Sequence, residues 1–230
     1  MKEFRYIKKL KEVEVFSDIK QESFDKIVEY GDFIKVKKNS CLYQDRCKLE
    51  YVYFVIEGKV TLSKNHENGE NRVIFLVGPG KMINQPIMRK STSAVECWAF
   101  EDSVLYRITF EKFDEIMSED YRLVKNCMEY MEIRIRSLYR QLKNSVTVNI
   151  DKKLAAKLYR LASEYGIKSD IEGYTKINIS VTNTYLSKMI GCQRETISRS
   201  MKSLIKEDIV RLEGRTILVN EENAKIYFRK

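Results

Sequence analysis

Arg194, Glu195 and Arg199 fall within one short stretch, GCQRETISRSMKSL, that runs from Gly191 to Leu204. An arginine can donate two hydrogen bonds to the major-groove edge of guanine, and a glutamate can accept one from the amino group of cytosine. The spacing predicts a helix. Ile197, Met201, Leu204 and Ile205 recur at i, i+4, i+7 and i+8 and form its apolar face. Arg194, Glu195, Ser198, Arg199 and Lys202 take the opposite side. Arg194 and Glu195 sit near the N-terminus, the end of a recognition helix that meets base edges. Thr182, Gln193, Thr196 and Ser198 are short polar groups of the kind that hold phosphates. Spacing alone leaves a second reading open. The stretch is equally the solvated polar face of a helical hairpin, and a further alternative is a ligand- or redox-responsive interaction protein whose hairpin binds protein rather than DNA.

A reading helix must be held by others. Leu186, Met189 and Ile190 give an apolar face to a preceding helix, with Thr182 as its candidate N-cap. Gly191 between the two suits the tight corner of a helix–turn–helix. Upstream, DKKLAAKLYRLASEYG reads as a helix capped by Asn149 or Asp151 and ended by Gly166, with Leu154, Leu158 and Leu161 inward. Downstream, DIVRLEGRTILVNEEN reads as two short strands around Gly214, a wing beside the helices.

The N-terminal half is β in character from about residue 33 to 108, with a helix expected over about Ser17 to Tyr30. EYVYFVIEGKVTLS, RVIFLVGPGK and AVECWAFEDSVLYRITF are short β-branched and aromatic runs broken by turn residues such as Asn68-Gly69, which predicts an antiparallel roll. From Met117 onward, apolar residues alternate at intervals of four and three through Tyr121, Val124, Met128, Met131, Ile135, Leu138 and Leu142. That alternation is the seam of a coiled coil and predicts a homodimer through paired helices. The competing reading is a long amphipathic helix lying on its own domain.

The chain has 230 residues and a formal charge of +9. Residues 149–230 hold 16 Lys/Arg against 10 Asp/Glu, so two-thirds of the excess lies beside the proposed reading helix, which favours an anionic partner. The five cysteines (Cys41, Cys47, Cys97, Cys127 and Cys192) are odd in number and irregularly spaced, so no disulfide framework is expected. No stretch approaches the roughly 20 apolar residues of a bilayer span, and the N-terminus lacks a signal-peptide core. Both point to a cytoplasmic protein without a membrane partner. His66 is the single histidine and has no second ligand at metal spacing, so neither a metal site nor a histidine-based catalytic triad is expected. GPGK at Gly78 to Lys81 lacks the upstream glycine and following hydroxyl of a phosphate loop. No catalytic residue is expected, and the chain reads as no enzyme.

TNTYLSKMIGCQRETISRSMKSLIKEDIV…GRTILV closely resembles the C-terminal domain of the cyclic-AMP receptor and anaerobic-regulator (Crp/Fnr) family. YVYFVIEGKVTL, the Asn-Gly hairpin and LVGPGKMI resemble that family's β-roll, so the likeness covers roughly residues 15 to 220. It implies an α+β chain. Residues 1–110 would be an antiparallel, cyclic-nucleotide-binding-like jelly roll, 111–147 a long dimerisation helix, and 148–230 a winged helix–turn–helix. It further implies that Arg194, Glu195 and Arg199 read bases of an inverted repeat, while Thr182 and Lys202 contact the backbone. Double-stranded DNA, a second copy and RNA polymerase are the implied partners. In one place the sequence departs from the family. Where cyclic-nucleotide binders carry Gly-Glu-Leu and Arg-Ser-Ala runs, this chain has Asn84-Gln85-Pro86 and Thr92-Ser93-Ala94. The phosphate arginine is missing, Arg89 is out of register, and loss of a paired charge weakens an anion site. Cyclic AMP is therefore not the expected effector, no cofactor is assigned, and Asn84, Gln85, Thr92 and Ser93 read either as turn residues or as contacts of another small molecule. Cys41, Cys47 and Cys97 could share the roll, but buried structural thiols are their default.

Overall fold

The computed structural model describes residues 2–65, 71–86, 92–146 and 149–229. His66, the Asn68-Gly69 turn and Arg89 lie outside the described residues. The chain forms two compact units, Met1–Tyr139 and Arg140–Lys230.

The first unit opens with helix α1 (Lys2–Lys11), a 3-10 turn (Glu14–Phe16) and α2 (Gln21–Tyr30). Seven strands follow: β1 (Asp32–Val36), β2 (Cys41–Tyr43), β3 (Tyr51–Glu57), β4 (Val60–Asn65), β5 (Asn71–Val77), β6 (Glu96–Ala99) and β7 (Ser103–Thr109). All pair antiparallel, in one sheet of order β1-β7-β3 and another of order β2-β6-β4-β5. The roll expected from the sequence is present. Strand β3 explains its own composition: YVYFVIE is buried along nearly its whole length because both of its faces meet a core. Val52, Phe54 and Ile56 face a helix-packed core with Leu10, Phe16, Ile27, Phe113 and Leu123, whereas Tyr53 and Val55 face a second core with Tyr43, Leu62, Val77 and Cys97. Strand β7 divides the same way, with Val104, Tyr106 and Ile108 on one side and Leu105 on the other.

The stretch expected as one long helix is two, α3 (Phe110–Glu119) and α4 (Tyr121–Val146). Met117, where the seam was expected to begin, is buried on α3, a different helix. Asp120 makes the break. Its Oδ1 accepts from the backbone N–H of Arg122 at 3.0 Å and of Leu123 at 3.3 Å, capping α4. Its Oδ2 accepts from the N–H of Lys20 at 2.9 Å, which ties the start of α2 to the start of α4. The helix expected from Ser17 begins only at Gln21, after a left-handed Asp18.

The second unit holds α5 (Ile150–Tyr165), β8 (Gly166–Lys168), β9 (Thr175–Ile177), α6 (Asn183–Ile190), α7 (Arg194–Lys206), β10 (Val210–Glu213), β11 (Thr216–Val219) and α8 (Glu221–Arg229). Of the two cap candidates, Asn149 is the one used: its Oδ1 accepts from Lys152 N at 3.0 Å. Leu154, Leu158 and Leu161 are buried as expected. The helix α8 is an addition to the sequence reading. Glu221 accepts from Thr175 Oγ1 at 2.6 Å and Ser163 Oγ at 3.0 Å, and Phe228 packs on Tyr159 with ring centroids 5.6 Å apart.

Candidate nucleic-acid interface

Helices α6 and α7 meet at Gly191, whose φ of 77° and ψ of 57° are left-handed. Its N–H and that of Cys192 both bond to the Ser187 carbonyl, at 2.7 and 3.2 Å, closing the C-terminus of α6. Thr182 caps the other end, with Oγ1 accepting from Tyr185 N at 3.1 Å. That bond uses an oxygen lone pair and leaves the hydroxyl proton of this exposed residue able to donate outward. Gln193 occupies the N-cap position of α7 without making a side-chain cap.

The inner face of α7 is Ile197, Ser200, Met201 and Leu204. Ile205, expected inward, is 40% exposed. At 100° per residue it lies about 80° around the helix from Ile197, beyond Met201, while Ser200 lies about 60° to the other side, next to Leu204. Arg194, Glu195, Arg199 and Lys202 are exposed, and Thr196 and Ser198 are half-buried at the edge. Among the described residues, no salt bridge within the chain engages Arg194, Glu195, Arg199 or Lys202. The first two turns of α7 thus present two guanidinium groups and a carboxylate without salt-bridge partners among the described residues, near a helix N-terminus whose dipole favours anions. The wing is a hairpin of β10 and β11 turning at Gly214 with φ 59°. Arg211 is held at its base, donating to Asp208 at 2.9 Å and stacking 4.5 Å from the Tyr174 ring. The Tyr174 hydroxyl and then the Arg211 guanidinium, both bonded to Asp208, hold that carboxyl below its ordinary value. Arg215 at the tip is exposed.

In the roll, the four expected pocket residues do not act alike. Asn84 is buried, accepting from Tyr53 N and donating to the Tyr51 carbonyl, both at 2.9 Å, so it buttresses β3. Ser93 is also buried, and its hydroxyl accepts from Val95 N at 3.2 Å. Gln85 and Thr92 are exposed. Burial pushes the Cys97 and Cys41 thiols up, against a thiolate at neutral pH. Among the described residues no group of three or more His, Cys, Asp or Glu could hold a metal.

On α4, Leu123, Asn126 and Cys127 face the unit's own core, with Val124 and Met131 packed partly against it. Met128 (68% exposed), Ile135, Leu138 and Leu142 (67% exposed) face outward, with Ile133 and Tyr139 beside them. One face of the segment thus packs on its own unit and takes Val124 and Met131 of the seam with it, while Met128, Ile135, Leu138 and Leu142 stay exposed. Two residues off the seam carry contacts that periodicity did not reveal. The Tyr130 hydroxyl donates to the Met82 carbonyl and Arg134 Nη1 to the Ile83 carbonyl, each at 2.7 Å. Their i, i+4 spacing away from the apolar stripe is the only signal the sequence offered.

Residues 33–120 match the family described as the cyclic nucleotide-binding domain, and residues 152–224 the Crp-like helix-turn-helix domain. The cAMP-activated global transcriptional regulator Vfr of Pseudomonas aeruginosa is 24% identical over 188 residues, covering 79% of this chain and 86% of its own. The cAMP-activated regulator CRP of Haemophilus influenzae is 22% identical over 170 residues, covering 73% and 75%. The fold is similar to that of the c-di-GMP-responsive regulator CLP of Xanthomonas campestris, with a TM-score of 0.75, 16% identity and coverage of 87% of this chain and 99% of that one. FixK2 from Bradyrhizobium japonicum gives the same TM-score at 16% identity, covering 85% and 96%. The two matched domains, in this order on an antiparallel roll and a helix–turn–helix, define a DNA-binding transcription regulator rather than an enzyme. The chain belongs to the Crp/Fnr family. No helix among the described residues is long and apolar enough to cross a membrane.

Proposed function

We propose that this regulator acts in the cytoplasm as a homodimer that reads an inverted-repeat DNA site. Arg194, Glu195 and Arg199 read bases, and Thr182, Gln193, Thr196, Ser198 and Lys202 position the backbone. The observation that carries this reading is the first two turns of α7, where two arginines and a glutamate stand exposed and, among the described residues, without intramolecular salt bridges. Charged groups kept unpaired on a surface are available to base edges and phosphates. The outward seam of Met128, Ile135, Leu138 and Leu142, with Val124 and Met131 at its inner edge, supports pairing of α4 with its copy. Two-fold symmetry then requires half-sites about one helical turn apart. RNA polymerase is the further partner such a regulator addresses. The division of labour is a roll over 1–110, a dimerisation segment over 111–147 and a winged helix–turn–helix over 148–230. Thr92 and Gln85, in place of an arginine and a glutamate, support a degenerate pocket that does not take cyclic AMP.

The test is fluorescence anisotropy of labelled duplexes across a salt series, with sites found by in-vitro selection. Specific binding should fall steeply with salt. Glu195→Ala should relax preference at one base position, by about 1–3 kcal/mol of discrimination, whereas Thr182→Ala should weaken every duplex alike. Binding without sequence preference, or equal losses on all duplexes from both variants, would refute the assignment.

A further inference from the structure

Arg134 is a half-buried cation on α4 with one neutral partner. Its Nη1 donates to the Ile83 carbonyl at 2.7 Å, and among the described residues its other N–H groups have no acceptor and no carboxylate pairs with it. Its guanidinium carbon lies 4.8 Å from the centre of the Phe75 ring and 5.9 Å from that of Tyr130. Aromatic faces fix the plane of a guanidinium without neutralising it. The charge is felt inside the roll, because Arg134 opposes the upward push that burial gives the Tyr43 hydroxyl and the Cys97 thiol. Around those two polar tips the roll is apolar, with Leu49, Val55, Leu62, Val77 and Ile83. A half-buried guanidinium with a single neutral hydrogen-bond partner keeps donors that an anion can take.

We infer that Arg134 is the anion receptor of the roll, and that it takes a small carboxylate with an apolar body. One cation matches one negative charge. Because Nη1 is already spent on Ile83, the Nε–Nη2 edge remains, and that flat two-donor edge fits the two oxygens of a carboxylate. The side chains of the roll behind it are apolar, which matches a ligand whose remainder is apolar. This inference rests on the reading of the roll as an effector domain. It also moves the recognising charge from the roll's own loop, where Thr92 now stands, to the helix that carries the outward seam. Tyr130 and Arg134 hold the Met82 and Ile83 carbonyls, so an anion on the free edge of Arg134 would bind the same residue that ties α4 to the roll.

Isothermal titration of the full chain tests it with isovalerate, hexanoate and benzoate, their neutral analogues 3-methylbutanol, hexanol and benzyl alcohol, and cyclic AMP. At least one carboxylate should bind saturably, tighter than its alcohol and tighter than cyclic AMP. Arg134→Gln should weaken that binding about 10- to 100-fold, the scale of a charge-assisted bond, and Arg134→Lys should weaken it less. If Arg134→Gln does not fold, the lysine variant and the acid–alcohol pairs still decide. The inference is overturned if no carboxylate binds below about 1 mM, if alcohols match their acids, or if folded Arg134→Gln binds as wild type does. Specific DNA binding is measured on the same preparation both without and with each probe. Its absence would sink the DNA reading while leaving the carboxylate result standing.

Discussion

Asp120 is a small feature with a large expected effect, and Asp120→Ala measures it. The carboxylate is buried and receives backbone N–H groups from Lys20, Arg122 and Leu123. Burial by itself would raise its pKa, but hydrogen bonds from the Ser23 side chain and those N–H groups outweigh that effect and hold it below the ordinary aspartate value. Removing the side chain costs about 1 kcal/mol for the lost α4 cap. It also strands the Lys20 N–H and the buried Ser23 hydroxyl, at about 1–3 kcal/mol for each fully buried donor. Since Lys20 is exposed apart from its backbone, we take the low end, about 3 kcal/mol in total, or roughly 10 °C in the melting of the first unit. Asp120→Asn keeps an acceptor and should recover about half of this. The assay is urea unfolding monitored by circular dichroism at several pH values. Because the folded pKa is lowered, the stabilisation is fully present above the unfolded aspartate value near 3.9 and is lost as pH falls through the lower folded value. The gap between wild type and Asp120→Ala should therefore be constant from pH 5 to 7 and narrow in acid. A difference below about 0.5 kcal/mol at pH 7, the size of an ordinary surface change, would refute the reasoning.

Gly191→Ala should cost about 1 kcal/mol, since a left-handed alanine loses about 1–2 kcal/mol and recovers about 0.4–1 from the stiffer unfolded chain. A 4–8 °C fall in the second unit's melting temperature, read by calorimetry, checks it; no change would mean the corner had rearranged. Met128→Glu with Ile135→Glu puts charges into the seam and should yield the 27.2 kDa monomer by light scattering where wild type gives twice that mass. Equal masses for the two proteins would remove the seam from the interface. Leu158→Ala opens a fully buried site on α5 and should cost about 2–5 kcal/mol in denaturant unfolding.

The helix–turn–helix was legible because each of its signals is local. Apolar spacing, the Thr182 cap and the left-handed Gly191 lie within a few residues of what they shape. The roll was legible from β-branched runs and turns, although which face of β3 met which core was not. What escaped depends on distant partners. The break at Asp120 is fixed by a bond to Lys20, one hundred residues away, while the alternation of fours and threes passes through it undisturbed. Helix α1 hides Tyr6, Ile7 and Leu10 among lysines and gains its reason only from the core it covers. The inner place of Ser200 and the outer one of Ile205 show how a spacing rule misjudges the edge of a stripe. Asn84 was read as a pocket candidate because of where it stands, and nothing in its type announced two bonds to β3.

Strands β3 and β7 form a partition one residue thick between two chambers. Tyr53 and Val55 look into one, Phe54 and Ile56 into the other, and neighbours in sequence stand back to back across the wall. Such a wall acts like the skin of a drum. A guest that crowds the roll side displaces backbone whose opposite surface already presses on Phe16 and Phe113, with Phe54 and Phe16 at 4.9 Å between ring centres. Occupancy of the roll, if a guest binds there, would need no relay of residues to reach the helices, because both sides share the same few peptide groups.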